Sequence, residues 1–134
     1  MLTGTPGIWM QKTNHGGGSP FIRGLTGNQV LTLVDGIRLN NATYRYGPNQ
    51  YLSTIDPWSL FSAETLRSTG SVLFGSDAMG GVVYLQTEKP NYAENKRSIH
   101  GTIFTRAMSR NMEKTVGAKL IYSERNFAGL VNGN

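Results

Sequence analysis

Two glycine-rich stretches have spacings that could do chemistry. His15-Gly16-Gly17-Gly18 has the form of an oxyanion loop, whose backbone N–H groups face a developing negative charge. That chemistry needs a Gly-x-Ser-x-Gly elbow, and no serine here has glycine at both −2 and +2. The stretch therefore reads as part of a glycine loop over 14–20. Gly75-Ser76-Asp77-Ala78-Met79-Gly80-Gly81 has the glycine spacing of a phosphate-binding loop. Gly81 and Val82 stand where that loop needs lysine and serine or threonine, so nothing reaches a phosphate. A dinucleotide fingerprint opens a helix, whereas these glycines precede the apolar run Val82-Val83-Tyr84-Leu85.

Metal chemistry is equally poorly supplied. The chain has no cysteine and two histidines, His15 and His100, too few for an all-histidine zinc site. Its carboxylates lack calcium-loop spacing. Asn41-Ala42-Thr43 is a glycosylation triplet of a kind common by chance. No catalytic residue, metal site or cofactor is expected, and the chain is not read as an enzyme.

The elements that hold these stretches are mostly strands. Ile8–Gln11 reads as a short strand and Phe21–Gly24 as an extended piece. Gln29–Val34 and Ile37–Leu39 flank Asp35-Gly36, a pair that suits a hairpin turn because both turn residues take positive φ. Residues 40–51 are polar and aromatic, without periodicity, and read as a surface loop. Asp56-Pro57 predicts a helix N-cap and a short helix over Pro57–Phe61. Ala63–Arg67 reads as extended, Ser71–Gly75 as a helical turn or bend, and Gly81–Thr87 as a buried strand. A polar linker follows over 88–97.

Beyond the linker the pattern alternates. Ile99, Gly101, Ile103, Thr105 and Ala107 share one face of a strand over Ser98–Met108. Val116, Ala118, Leu120 and Tyr122 share one face of a strand over Thr115–Ser123. Glu124–Asn126 reads as a tight turn and Phe127–Val131 as the start of a third strand. The lengths suit membrane-spanning β-strands, and by periodicity alone suit a soluble meander equally.

Composition agrees with a strand-and-turn protein. Of 134 residues, 17 are glycine and 16% are charged. No run reaches the apolar length of a membrane helix, and no signal peptide follows Met1, so a form acting outside the cytoplasm would take its leader from residues preceding Met1. The net charge is +5, and it concentrates late: residues 91–134 hold seven Lys and Arg against three Glu. These cations are spread along the strands, so a basic strand surface is preferred to a nucleic-acid site.

The first 90 residues resemble the plug of TonB-dependent outer-membrane receptors. "GTPGIWMQ", "SPFIRG", "VLTLVDGIRLN", "IDP", "ETLR" and "GSVLFGSDAMGGVVYLQT" follow the order of that family's motifs. Two departures stand out: Ser68-Thr69 follows Arg67 where the family has Gly-Pro, and Phe61-Ser62-Ala63 precedes Glu64 where it has charge. The resemblance implies an α+β plug domain, a small mixed sheet with short helices, over 1–90. A linker over 91–97 and the first antiparallel strands of a transmembrane β-barrel over 98–134 would follow. It implies that Asp35, Gly36, Gly75, Gly80 and Gly81 serve tight turns, the last three where the final plug strand enters the sheet.

By the same resemblance, Arg23, Glu64 and Arg67 form a charged gating cluster between plug and barrel wall. Asn14, His15, Asn28, Tyr44, Arg45, Tyr46 and Asn49 lie on the plug's outer, ligand-meeting loops. Tyr44, Arg45 and Tyr46 offer stacking and a cation to an anionic ligand. The implied function is energy-coupled uptake of a scarce nutrient of the ferric siderophore, haem or cobalamin class, with a slight lean to iron or haem. The implied partners are outer-membrane lipid and the TonB–ExbB–ExbD complex, which would pull on a segment preceding these residues. The implied location is the Gram-negative outer membrane. These residues are thus expected to be a piece of a longer receptor and not to transport alone. The competing readings are a soluble binding module made of the plug-like part and, on charge alone, a nucleic-acid binder.

Overall fold

The computed structural model describes residues 6–11, 18–40, 47–48, 51–94, 96–109 and 113–134. Its strands are β1 (Ile8–Gln11), β2 (Ser19–Ile22), β3 (Val30–Val34), β4 (Ile37–Arg38), β5 (Leu60–Leu66), β6 (Gly81–Thr87), β7 (Ser98–Met108), β8 (Glu113–Ser123) and β9 (Ala128–Gly133). One α-helical turn, α1, covers Ser71–Phe74, and 3-10 turns cover Gly27–Gln29, Tyr51–Thr54 and Pro57–Ser59. The chain divides into two units, residues 1–88 and 89–134.

In the first unit, β1 and β2 form an antiparallel pair, with Ile8 opposite Ile22 and Gln11 opposite Ser19. The remaining strands form a mixed sheet of order β4-β3-β6-β5. β3 and β6 run parallel, Val30 beside Gly81 through Val34 beside Leu85, and the other pairings are antiparallel. Such a parallel pair needs a long crossover, here the whole stretch from β4 to α1.

Side chains alternate across a strand, so the register sorts this sheet into two faces. Val30, Val83 and Leu85 cluster on one face with Ile22, and Ile8, Met10, Leu52 and Ile55 pack against them. Leu31, Leu33 and Val82 occupy the other face with Ala78, flanked by Tyr84. Because both faces are covered, β3 and β6 carry apolar residues toward both sides and do not alternate strictly between apolar and polar.

Asp35 and Gly36 make the turn that the sequence predicts, with φ of 50° and 86°. A second such turn carries no comparable sequence signal. Arg23 and Gly24 have φ of 56° and 81°, and Ile22 and Leu25 exchange backbone hydrogen bonds across them. Phe21–Gly24 is therefore a strand end and a tight turn, not a uniformly extended piece. Ser19 and Pro20 belong to β2 and not to the preceding loop, because pairing with β1 recruits them.

The helix expected over Pro57–Phe61 is one 3-10 turn of three residues. Asp56 does cap it, accepting from Trp58 N at 3.0 Å. The turn stops because Leu60 is drawn into β5 opposite Thr87, and Ser59 O accepts from Glu88 N. Sheet pairing thus overrides the local helix signal.

In the second unit, β7, β8 and β9 form an antiparallel sheet of that order, with β7 and β9 as open edges. Two boundaries differ from expectation: pairing of Met108 with Glu113 starts β8 two residues early, and β9 runs Ala128–Gly133. The register places Ile99, Ile103, Val116, Leu120 and Val131 on one face, all well exposed. On the opposite face Phe104 lies directly across from Gly117, and its ring fills the space a Cβ there would take.

Candidate functional site

The motif-bearing loops of the first unit are tied together by two charged side chains of one hairpin. Asp35 sits at the turn between β3 and β4, where its positive φ suits an acidic residue able to bond locally. Its carboxylate accepts from Thr87 N at 2.9 Å and from Thr87 Oγ1 at 2.6 Å. Its own N–H donates to Leu85 O. The hairpin tip therefore clamps the far end of β6.

Arg38, at the end of β4, reaches the loop behind α1. Its guanidinium donates to Ser76 O at 2.6 Å and pairs with Asp77 Oδ2 at 3.1 Å. Gly75, with φ of 81°, ends α1 beneath the same guanidinium, and Asp77 has φ of 70°. Arg38 and Asp77 form an ion pair. It joins the hairpin motif to the glycine loop, a role that neither residue's type or spacing suggests.

Gly80 and Gly81 stand where backbones crowd. A Cβ on Gly81 would lie 2.5 Å from Leu66 O and 3.0 Å from Ile22 Cγ2. A Cβ on Gly80 would lie 2.7 Å from Leu25 Cβ, close to Ile22 O and Gln29 O. Glycine here provides room for the Ile22–Leu25 turn against the start of β6.

The three residues assigned to a gating cluster are placed as follows. Arg23 is at the exposed tip of the β2 turn, and Glu64 is exposed on β5 opposite Tyr84. Arg67 lies just past β5, where its Nη1 donates to Pro6 O and its side chain runs along Gly7. Among the described residues, no ion pair or hydrogen bond joins these three side chains to one another.

Of the residues assigned to ligand contact, Asn28 lies in the Gly27–Gln29 turn, and its Oδ1 is buried with no hydrogen-bond partner. Asn14, His15, Tyr44, Arg45, Tyr46 and Asn49 lie outside the described residues. Among the described residues no three His, Asp or Glu side chains gather as a metal site would require.

The family model for the TonB-dependent receptor plug domain matches residues 1–82. The chain is 35% identical over 96 residues to the vitamin B12 transporter BtuB of Vibrio vulnificus strain CMCP6, covering 70% of this chain and 15% of that protein. It is 32% identical over 96 residues to the protein of the same name from strain YJ016, covering 68% and 15%. The chain thus spans 15% of the length of these curated relatives. With its hairpin, glycine loop and mixed sheet in the order that this family's motifs take, the chain belongs to the TonB-dependent receptor plug domain family.

Proposed function

We propose that this chain is part of an outer-membrane receptor that imports a scarce nutrient, with residues 1–90 plugging a β-barrel that begins at 98. Residues 91–97 link the two. The reading is of a receptor and transporter, not of an enzyme. The observation that carries the membrane part is the register of the second unit. It gathers Ile99, Ile103, Val116 and Leu120 of the 11-residue strands β7 and β8, with Val131 of β9, on one exposed face. That length is what a tilted strand needs to cross a bilayer. A face of this kind in water would be a liability.

Cobalamin is the first ligand to test, because both Vibrio relatives are named for vitamin B12. Ferric siderophores and haem are the other classes that the family resemblance allows. Asn14, His15, Asn28, Tyr44, Arg45, Tyr46 and Asn49 are proposed to meet the ligand. Arg23, Glu64 and Arg67 are proposed to face the surrounding barrel. The exposure of Arg23 and Glu64 supports this, since groups awaiting partners on another wall stay uncovered in the plug alone. Coupling to TonB is proposed to act through residues preceding the plug.

The test is fractionation followed by binding. The receptor expressed from its own gene should remain in the outer-membrane fraction after washing, and that fraction should bind cyanocobalamin. Recovery of the protein in the wash overturns the membrane part. Binding of haem or a ferric siderophore in place of cyanocobalamin overturns the ligand and keeps the receptor.

A further inference from the structure

We propose that the turn end of the β7-β8-β9 sheet binds the headgroup of an ethanolamine phospholipid, with Arg97 taking its phosphate and Glu124 its ammonium. The inference rests on the reading that the face carrying Ile99 and Leu120 meets lipid.

The register sorts that face by chemistry. Among its described residues, charge occurs only at the two ends. At one end Arg97 and Glu124 flank the pairing of Ser98 with Ser123, and at the other Lys114 lies opposite Ala107. Side chains alternate along a strand, so Arg97 continues the line of Ile99, Ile103 and Ala107. At about 3.3 Å per residue, Arg97 and Ala107 stand ~33 Å apart along the strand. A tilt of about 40° reduces this to roughly 25 Å, the height of an outer-membrane apolar band. The charged ends therefore match the two headgroup levels.

The turn end is the more elaborate of the two. Glu124 N donates to Phe127 O at 2.7 Å, closing the turn. The Tyr122 hydroxyl donates to Glu124 Oε2 at 2.9 Å, which places the carboxylate on the Tyr122 side of the sheet. The Phe127 ring lies over Gly129, where a Cβ would meet it at 3.5 Å, and its centre is 6.1 Å from that of Tyr122. Arg97 lies within electrostatic reach of the Tyr122 hydroxyl. Ala93 N donates to Glu124 O at 3.2 Å, so the chain leading to Arg97 is held against the same turn. Aromatic rings at the rim of an apolar band, with charge just beyond, suit the boundary between acyl chains and headgroups.

Arg97 and Glu124 are both exposed, and no ion pair joins them among the described residues. Tyr122 occupies one Glu124 oxygen, and the other can accept from an ammonium. The Arg97 fork suits two phosphate oxygens. A headgroup carrying both charges satisfies both residues. Phosphoglycerol brings no cation, and the quaternary nitrogen of choline has no N–H to donate. Lys96 and Arg125, exposed beside them in sequence, attract phosphate without choosing among these headgroups.

The test uses the full-length receptor, stripped of lipid in detergent and offered equal amounts of phosphatidylethanolamine, phosphatidylcholine and phosphatidylglycerol. Native mass spectrometry reads which lipid stays bound. The native protein should retain the ethanolamine lipid about tenfold over the choline lipid, as expected for one charged hydrogen bond. Glu124→Gln should abolish that preference, and Arg97→Gln should lower retention of all three lipids. Tyr122→Phe keeps the carboxylate and should keep the preference. Its loss in Tyr122→Phe would make the cluster a brace for the turn and overturn the proposal. An ethanolamine preference that survives Glu124→Gln lies elsewhere and overturns it too. If Arg97→Gln does not fold, the other two variants decide. Equal retention of the three lipids by a native protein that stays in washed outer membranes overturns the headgroup site and keeps the lipid-facing reading. Recovery of the native protein in the aqueous wash overturns both.

Discussion

Arg38 and Asp77 stand 39 positions apart and meet at 3.1 Å, tying the edge of the mixed sheet to the loop behind α1. Both are partly exposed, so the charge pair itself contributes about 1 kcal/mol or less. Arg38 also donates to Ser76 O, which Asp77 replacement leaves in place. Asp77→Asn should therefore lower the urea midpoint less than Arg38→Ala does. Equal losses would mean that the backbone contact adds nothing.

Asp35 should matter more than its turn position suggests. Asp35→Leu removes both acceptors from Thr87 and places an apolar residue at φ of 50°. We expect a loss of about 2–3 kcal/mol in the first unit. Asp35→Asn keeps an acceptor and a residue type tolerant of this φ, and should lose less than half as much. Urea unfolding of the two variants checks the order.

The glycines divide by what surrounds them. Gly36→Ala meets open space, so only its φ of 86° is strained, and the cost should be about 1 kcal/mol. Gly81→Ala drives a Cβ into Leu66 O and Ile22, and should cost about 3 kcal/mol or prevent folding. Thermal melts that rank Gly36→Ala as the worse variant would contradict the packing around Gly81.

The exposed face of the second unit separates lipid from water. Ile103→Lys places a charge amid Ile99, Leu120 and Val131 on that face. Facing lipid near mid-bilayer, it should cost about 2–4 kcal/mol and reduce the protein held in washed outer membranes. A similarly exposed change on the other face, Thr102→Lys, should be far milder. Equal retention of both variants would favour a water-facing sheet.

Gly117 and Phe104 provide a local check on the same sheet. Gly117→Val must displace the Phe104 ring that covers it. Amide exchange in β7 and β8 should quicken on this substitution, and Phe104→Leu in the same chain should recover part of the protection.

Much of this molecule is legible in its residues. Asp35-Gly36 announces the hairpin because both residues tolerate positive φ. The alternation of Ile99–Ala107 and Val116–Tyr122 announces two strands with matching apolar faces, and the register aligns those faces. Gly81–Thr87 announces a buried strand by its unbroken apolar run. These are local signals, and neighbours along the chain satisfy them.

Contacts distant in sequence decide the rest. The parallel pairing of β3 with β6 joins segments about fifty positions apart, and no turn chemistry points to it. The pairing of β5 with β6, with Thr87 opposite Leu60, stops the helix that Asp56-Pro57 begins. The same sheet brings Arg38 to Asp77 and Asp35 to Thr87. Residue type alone could not reveal that the side-chain amide of Asn40 accepts from Thr32 N and donates to Val30 O, because the role exists only once the sheet presents these two groups. Local conformational preference sets turns and strand faces within a few residues, whereas partner choice depends on which buried backbone groups and apolar faces meet after the chain has folded.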